Sequence, residues 1–286
     1  MLQNRATLKQ IRFYLLSELR QIYTENESDS MVRLIMEHLG YPLAVSLREP
    51  DRVPDPAITA QINTIMAEIR SGLPIQYVLG STEFCNLSIR VNKHVLIPRP
   101  ETEEMVELIK SSTREPLKRI IDLGTGSGCI ALALKHHFPE AEVWGVDKSR
   151  EALLVAGENG RNNKLHVIWD YQDLLNIDPL DHWEAFDLVV SNPPYVLNKE
   201  RISMARHVLD FEPPSALFVQ DHEPLIFYQA ITDFCKKYLA EEGEIWVEIN
   251  ESYGRETAML FEQEGFKKVK LLKDIHNKER FIHACR

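Results

Sequence analysis

Cysteine is scarce in this 286-residue chain, and positive charge runs short. The four cysteines, Cys85, Cys129, Cys235 and Cys285, lie far apart, and none belongs to a C-x-x-C pair. That spacing argues against a disulfide framework or a zinc site and reads as reduced thiols in the cytoplasm. Lys and Arg total 33 against 43 Asp and Glu, a formal net charge of −10. This balance disfavours extensive, non-specific binding to nucleic-acid phosphates, though a local basic patch stays open. No apolar run approaches the ~20 residues that a membrane-spanning helix needs. The N-terminus, MLQNRATLKQIRFYLLSELRQ, scatters charges through its apolar positions and so reads as an amphipathic helix, not a signal peptide. The ten histidines, His136 and His137 included, form no metal-ligand spacing, and no metal is expected. Internal repeats and low-complexity segments are also missing. A cytoplasmic protein without membrane or direct nucleic-acid contact is the expectation.

Hydrophobic residues make up 44% of the chain, enough for a sizeable core. Up to about residue 75 the pattern is helical. LKQIRFYLLSELRQIY, MVRLIMEHLG and ITAQINTIMAEIRSG repeat apolar residues at three- and four-residue intervals. The proline-bearing REPDRVPDP between them reads as a loop. EFCNLSIRVNKHVLIP alternates apolar residues around turn residues and reads as a β-hairpin. From about 101, strands and helices alternate: RIIDL, AEVWGVD, LHVIW, FDLVV and GEIWVEI are strands between amphipathic helices. The terminal runs KKVKLL and RFIHAC suit a closing hairpin. Repeated strand–helix units predict a parallel sheet covered on both faces, with ligands at the carboxyl ends of its strands. Three segments follow: a helical domain over 1–75, a β-hairpin linker over 76–100 and an α/β domain over 101–286.

Within IIDLGTGSGCIALAL, Gly124, Gly126 and Gly128 stand between a strand and a helix with Thr125 and Ser127. A tight turn alone needs one glycine, so three suggest close backbone approach to a ligand at a helix N-terminus. The spacing is G-x-G-x-G, off register from the G-x-G-x-x-G dinucleotide fingerprint, since position 129 is Cys. Asp122 just before the loop would repel a pyrophosphate and suits a cationic or amino-bearing ligand. Asp147 closes the next strand, nineteen residues after Gly128, where an acid commonly accepts hydrogen bonds from ribose hydroxyls. The bland alternative is a carboxylate at a helix N-terminus. Farther on, Asp170 and Asp173 compete for an adenine amine, with Asp173 favoured. A nucleoside without phosphates that carries a cation and an amino acid is S-adenosylmethionine. DLGTGSG with an acid on the second strand resembles the first two motifs of the class I methyltransferases.

The apolar run FDLVV ends in SNPPYV. Prolines stop a sheet ladder and hold the neighbouring backbone extended, so Asn192-Pro193-Pro194-Tyr195 is a stiff corner. In the class I topology that strand ends beside the methyl group. The tetrapeptide resembles the acceptor site of methyltransferases acting on a planar –NH₂ group: adenine, cytosine or a glutamine amide. The physics agrees. A conjugated nitrogen is a weak nucleophile because its lone pair is delocalised. If the Asn192 side-chain oxygen and the Pro193 carbonyl accept its two N–H groups, the lone pair can point at the methyl, and the developing charge is stabilised. Tyr195 can cover the planar group, and the prolines keep the acceptors in place.

The rest of the chain narrows the acceptor. GLPIQYVLGSTEFCNLSIRVNKHVLIPRPETEEMVELI (72–109), with IPRPETE at 97–103, resembles the release-factor glutamine methyltransferases, the PrmC/HemK family. FEPPSALF (211–218), GEIWVEI and the Asp274…Arg280 pair fit the same family. The resemblance covers nearly all of 70–286. It implies a Rossmann-like class I domain, mostly parallel with a C-terminal antiparallel hairpin, after a small helical bundle. It implies N(5)-methylation of the glutamine in the Gly-Gly-Gln motif of class I peptide chain release factors, with S-adenosylmethionine as donor. Gly124, Gly126, Gly128, Asp147 and Asn192 would contact the cofactor, and the N-P-P-Y residues the glutamine. Arg99 and Pro100 would line the pocket mouth, although proline followed by acids also suits a plain helix N-terminus. The helical domain would grip the release factor, and a monomer is expected. The rivals are an adenine N6-methyltransferase acting on DNA or RNA, which should carry a basic groove, and a non-catalytic cofactor-binding module.

Overall fold

The computed structural model describes residues 5–113, 116–177 and 183–286. The chain divides into two units, Met1–Gly80 and Ser81–Arg286. The first four residues of the N-terminal helix expectation lie outside the described residues.

Among its described residues the first unit is built of helices: α1 (Leu8–Leu19), α2 (Glu25–His38), α3 (Leu43–Arg48), α4 (Pro56–Arg70) and α5 (Ile75–Leu79). Leu8, Ile11, Leu15 and Leu19 recur on one face of α1 and pack with Val32, Ile35 and Met36 of α2 and Ile62, Met66 and Ile69 of α4. Their three- and four-residue spacing is the reason the core forms. Helix α2 begins six residues before the apolar run starts at Met31. Thr24 and Glu27 form a capping box that satisfies donors at its N-terminus.

The second unit opens on a hairpin of β1 (Ser81–Phe84) and β2 (Leu87–Arg90), turning at Cys85 and Asn86, both at positive φ. Two consecutive left-handed residues suit a two-residue hairpin turn. Helix α6 (Pro100–Ser112) leads into β3 (Arg119–Leu123), α7 (Cys129–His137), β4 (Glu142–Asp147), α8 (Arg150–Asn163), β5 (Ile168–Tyr171) and β6 (Phe186–Ser191). Then come β7 (Val196–Leu197), α9 (Arg206–Phe211), β8 (Phe218–Val219), α10 (Ile226–Tyr238), β9 (Leu239–Glu248), α11 (Gly254–Gln263), β10 (Lys267–Lys273) and β11 (Glu279–Cys285). The main sheet has the order β10-β11-β9-β6-β3-β4-β5, parallel from β9 to β5, with β11 antiparallel to both neighbours. The α/β expectation, with its antiparallel closing hairpin, holds.

Strand alternation decides what each face buries. Ile121, Leu123, Val189, Ile245 and Val247 join Tyr228, Ile231 and Phe234 of α10 and Phe261 of α11 in one core cluster. Asp122, between two of them, therefore points to the other face, where the Ala131 amide of α7 acts on it. The order also reverses direction between β3 and β6, the switch point where open α/β sheets bind ligands. Register brings Leu123 opposite Ser191, and Ser191 opposite Val247. The glycine loop, the proline corner and the end of β9 thus emerge along one sheet edge.

Three strand boundaries shift from the sequence expectation. The first hairpin ends at Arg90, short of the VNKHVLIP through which the sequence pattern continues it. Strand β5 starts at Ile168, three residues late, because Lys164 in the left-handed region and the Leu165 N–H to Gly160 carbonyl bond first close α8. Strand β9 starts early, at Leu239.

Candidate active site

A cleft with about 1000 Å³ of space, counting its open mouth, lies over the switch point. Its floor is the β3–α7 loop. Gly124, Gly126 and Gly128 all have positive φ, which accounts for three glycines where a simple turn needs one. Four of the loop's amides are committed within the protein. Gly124 and Thr125 N–H both donate to the Val146 carbonyl at 2.9 Å, and Gly128 N–H donates to Thr125 O at 2.8 Å. Gly126 N–H donates to Asp147 Oδ2 at 2.8 Å. A phosphate-cradling loop keeps such N–H groups for its ligand. This one does not, and it sits between two acids, so its floor suits a ligand without phosphates.

Asp147 ends β4 with Oδ1 accepting the Ser149 N–H at 2.8 Å, and the residue lines the cleft, within reach of hydroxyl donors there. Burial raises its pKa, opposed by the Ser149 and Gly126 amides and by the charge and amide of Lys148. Asp122 lies under the loop, fully buried, accepting the Thr125 hydroxyl at 2.6 Å on Oδ2. Its Oδ1 finds no hydrogen-bond partner among the described residues. Burial pushes its pKa up to about 7, opposed by the Thr125 hydroxyl and the Ala131 amide. Of the two competing acids, Asp173 lines the cleft, with Oδ1 capping the Leu175 N–H at 3.1 Å. Asp170 stands outside the lining and accepts from Gln172 at 2.9 Å.

The opposite wall is the proline corner. Asn192, Pro193 and Pro194 line the cleft together with Arg99, Thr102 and Phe227. Arg99 donates to the buried Glu212 at 2.6 Å, and Glu212 also accepts the Ile97 N–H at 3.3 Å. That carboxylate ties the IPRPETE segment to FEPPSALF across the mouth. Asn192 Nδ2 donates to Thr102 Oγ1 at 2.9 Å, and Thr102 donates in turn to Glu248 Oε2 at 2.6 Å. Tyr195 sends its hydroxyl to Glu248 Oε1 at 2.8 Å.

The structure thus gathers Arg99, Gly124, Thr125, Gly126, Ser127, Asp147, Asp173, Asn192, Pro193 and Pro194 around one cleft. Among the described residues, Asp122, Gly128, Pro100 and Tyr195 stand outside its lining. Pro100 is exposed at the first turn of α6. Gly128 backs onto Trp169, where a Cβ would lie 2.8 Å from the indole Cη2. Tyr195 packs its ring against the sheet core. Sequence reasoning missed Thr102 and Glu248. The available signal was Glu248 itself, an acid inside the buried run IWVEI.

Among the described residues, no group of three or more His, Cys, Asp or Glu is arranged to hold a metal, and no helix is long and apolar enough to cross a membrane. All four cysteines are free. Burial pushes the Cys85 and Cys129 thiols up to about 12.

The model of the methyltransferase small domain family matches residues 102–210. A methyltransferase from Pyrococcus furiosus superposes with a TM-score of 0.52 at 16% identity, over 70% of this chain and 88% of its own. A Thermus thermophilus 16S rRNA methyltransferase, solved with AdoMet and guanosine, gives a TM-score of 0.51 at 19% identity, over 72% of this chain and 49% of its own. Fold and cleft together define a class I, S-adenosylmethionine-dependent methyltransferase. A Flavobacterium psychrophilum protein named release factor glutamine methyltransferase is 39% identical over 96% of this chain and 98% of its own. Its namesake in Bacteroides thetaiotaomicron is 36% identical over 98% of this chain and 100% of its own. The chain belongs to the release factor glutamine methyltransferase family.

Proposed function

We propose that this enzyme methylates the side-chain amide N(5) of the glutamine in the Gly-Gly-Gln motif of class I peptide chain release factors. The observation that carries the reading is the Asn192-Pro193-Pro194 wall facing the glycine-loop floor in one cleft, in a chain whose full-length relatives bear that enzyme's name. S-adenosylmethionine supplies an electrophilic methyl on a sulfonium. The floor suits it by its committed amides and its acids. Gly124, Thr125, Gly126 and Ser127 shape the seat, Asp147 takes the ribose hydroxyls and Asp173 the adenine amine. Asp122 and Gly128 support the loop from beneath.

Asn192 Oδ1 and the Pro193 carbonyl accept the two N–H groups of the glutamine amide. Held so, the nitrogen presents the face that carries its lone pair to the methyl. The positive charge that develops on it meets two fixed acceptors. A dedicated base is unnecessary, because an N-methylated amide cation releases its proton readily to water. Arg99, fixed by Glu212, holds the mouth open to the Gly-Gly-Gln loop, and the helical unit supplies further contact with the release factor. Such a reaction belongs to the cytoplasm, where translation terminates.

The test is transfer of labelled methyl to three acceptors: release factor, the factor with its motif glutamine changed to alanine, and bulk DNA with RNA. Label on intact release factor alone is the expected result. Asn192→Ala should lower kcat by about 100-fold or more while S-adenosylmethionine still binds. Label on nucleic acid instead would move the reading to an adenine acceptor.

A further inference from the structure

We infer that Thr102 and Glu248 are positioning residues that determine which end of the Asn192 amide faces the acceptor. The inference rests on the proposed role of Asn192 as an acceptor of the substrate's N–H. It starts from a chain of four side chains drawn from three distant parts of the sequence. Asn192 Nδ2 meets Thr102 Oγ1 at 2.9 Å, Thr102 meets Glu248 at 2.6 Å, and Tyr195 closes on the other Glu248 oxygen at 2.8 Å. Glu248 is 1% exposed at the end of β9.

The direction of each hydrogen bond follows from the inventory of donors. An ionised carboxylate only accepts, so the single hydroxyl proton of Thr102 is committed to Glu248. The Thr102 oxygen then has only lone pairs to offer. Asn192 must answer with its NH₂ group, and its Oδ1 is left facing away from Thr102, available to an incoming N–H. Rotating the amide by half a turn would set carbonyl oxygen against hydroxyl oxygen and lose a part-buried hydrogen bond. Burial raises the Glu248 pKa, and the hydroxyl of Thr102, ahead of the charge of Arg280, acts against that rise in favour of the ionised form. Tyr195 adds a second donor to the same carboxylate. Both ends of the Asn192–Tyr195 corner therefore converge on Glu248, which gives the Tyr195 hydroxyl a function without contact with the acceptor.

Glu248→Gln is the discriminating variant, because it keeps the shape and reverses the logic. A glutamine NH₂ can donate to Thr102 Oγ1, which frees the Thr102 proton to bond Asn192 Oδ1. The Asn192 NH₂ group then faces the substrate amide, donor against donor. We expect kcat on release factor to fall about 100-fold, with S-adenosylmethionine affinity by calorimetry and the thermal midpoint near wild type. Thr102→Val, which has no hydroxyl, should lower kcat similarly, and Thr102→Ser should restore it. The double variant Glu248→Gln/Thr102→Val should be no slower than the worse single variant, because both act through one amide. Wild-type kcat in Glu248→Gln overturns the inference. Should Glu248→Gln fail to fold, equal and wild-type kcat in Thr102→Val and Thr102→Ser overturns it, and a slow Val beside a fast Ser supports it. Wild-type enzyme with release factor is the control for the functional reading. If that reaction is absent, the reading and the inference fall together, whereas a working wild type with an indifferent Glu248→Gln removes the inference alone.

Discussion

Asp122 is an acid held where ionisation is unfavourable. Its folded pKa, pushed up to about 7 from 3.8, means the native state keeps a proton that the unfolded chain has already released between about pH 4 and 7. Stability therefore falls as pH rises through that window, and the deficit is complete above it. Asp122→Asn should make the cofactor-free protein more stable at pH 8, by up to the order of 4 kcal/mol, with the gain shrinking as pH approaches 4. Urea midpoints at the two pH values check it, and a pH-independent gain would refute it. The same variant should bind S-adenosylmethionine more weakly, since it removes a negative charge from beneath the seat of a cation. Gly126 and Gly128 separate two jobs within one loop. Alanine at either is strained by positive φ, but only at 128 would a Cβ also meet Trp169. Gly128→Ala should cost on the order of 2–3 kcal/mol of stability. Gly126→Ala should unfold less readily than Gly128→Ala and lose more S-adenosylmethionine affinity, because Gly126 lines the cleft. Equal urea midpoints for the two would contradict this division. The three glycines were legible as a ligand loop, but the reason for the third was not. Trp169 lies 41 residues downstream of it, and no local pattern announces that packing.

At the scale of elements, periodicity carried most of the fold and failed where side chains bond across distance. Alternating strands and helices, and the two hairpins, were visible because apolar residues recur at two or at three and four positions along each segment. The start of α2 was not visible, since a polar stretch launched by a capping box has no apolar rhythm. Thr102 and Glu248 escaped for a stronger reason: they are 146 residues apart, and each alone reads as an ordinary helix or strand residue. Asn159 is a similar case. Inside GENGRNN it looks like the polar end of α8, yet it is fully buried. Its side chain accepts the Arg90 N–H at 2.7 Å and donates to Arg90 O at 3.0 Å and to Ser127 O at 2.9 Å. One amide thus fastens the hairpin, the helix and the glycine loop together. Asn159→Ala would strand buried backbone groups and should cost about 3 kcal/mol or more. Hydrogen exchange at the Arg90 N–H should accelerate and S-adenosylmethionine affinity should drop. Unchanged exchange at Arg90 would show that the clip contributes little.

On the proposed reading, the whole molecule separates chemistry from partner selection. The helical core of Leu8, Ile11, Leu15, Val32, Ile35, Ile62 and Met66 shares no residue with the core cluster on the sheet. Every residue proposed for cofactor or glutamine lies in the unit Ser81–Arg286. A net charge of −10 disfavours non-specific attraction to nucleic-acid phosphates, and the proposed protein acceptor would be found through shaped contact. A chain beginning at Ser81 should therefore bind S-adenosylmethionine as the full chain does. It should methylate a short Gly-Gly-Gln peptide at an undiminished kcat/KM and lose kcat/KM on intact release factor, mainly through KM, as expected when binding contacts remote from the reacting atoms are removed. Circular dichroism verifies folding of the shortened chain, and peptide and whole factor are compared in the same assay. Equal loss on both acceptors would place the helical unit in support of the cleft rather than in recognition. No loss on either would leave that unit without a part in this reaction.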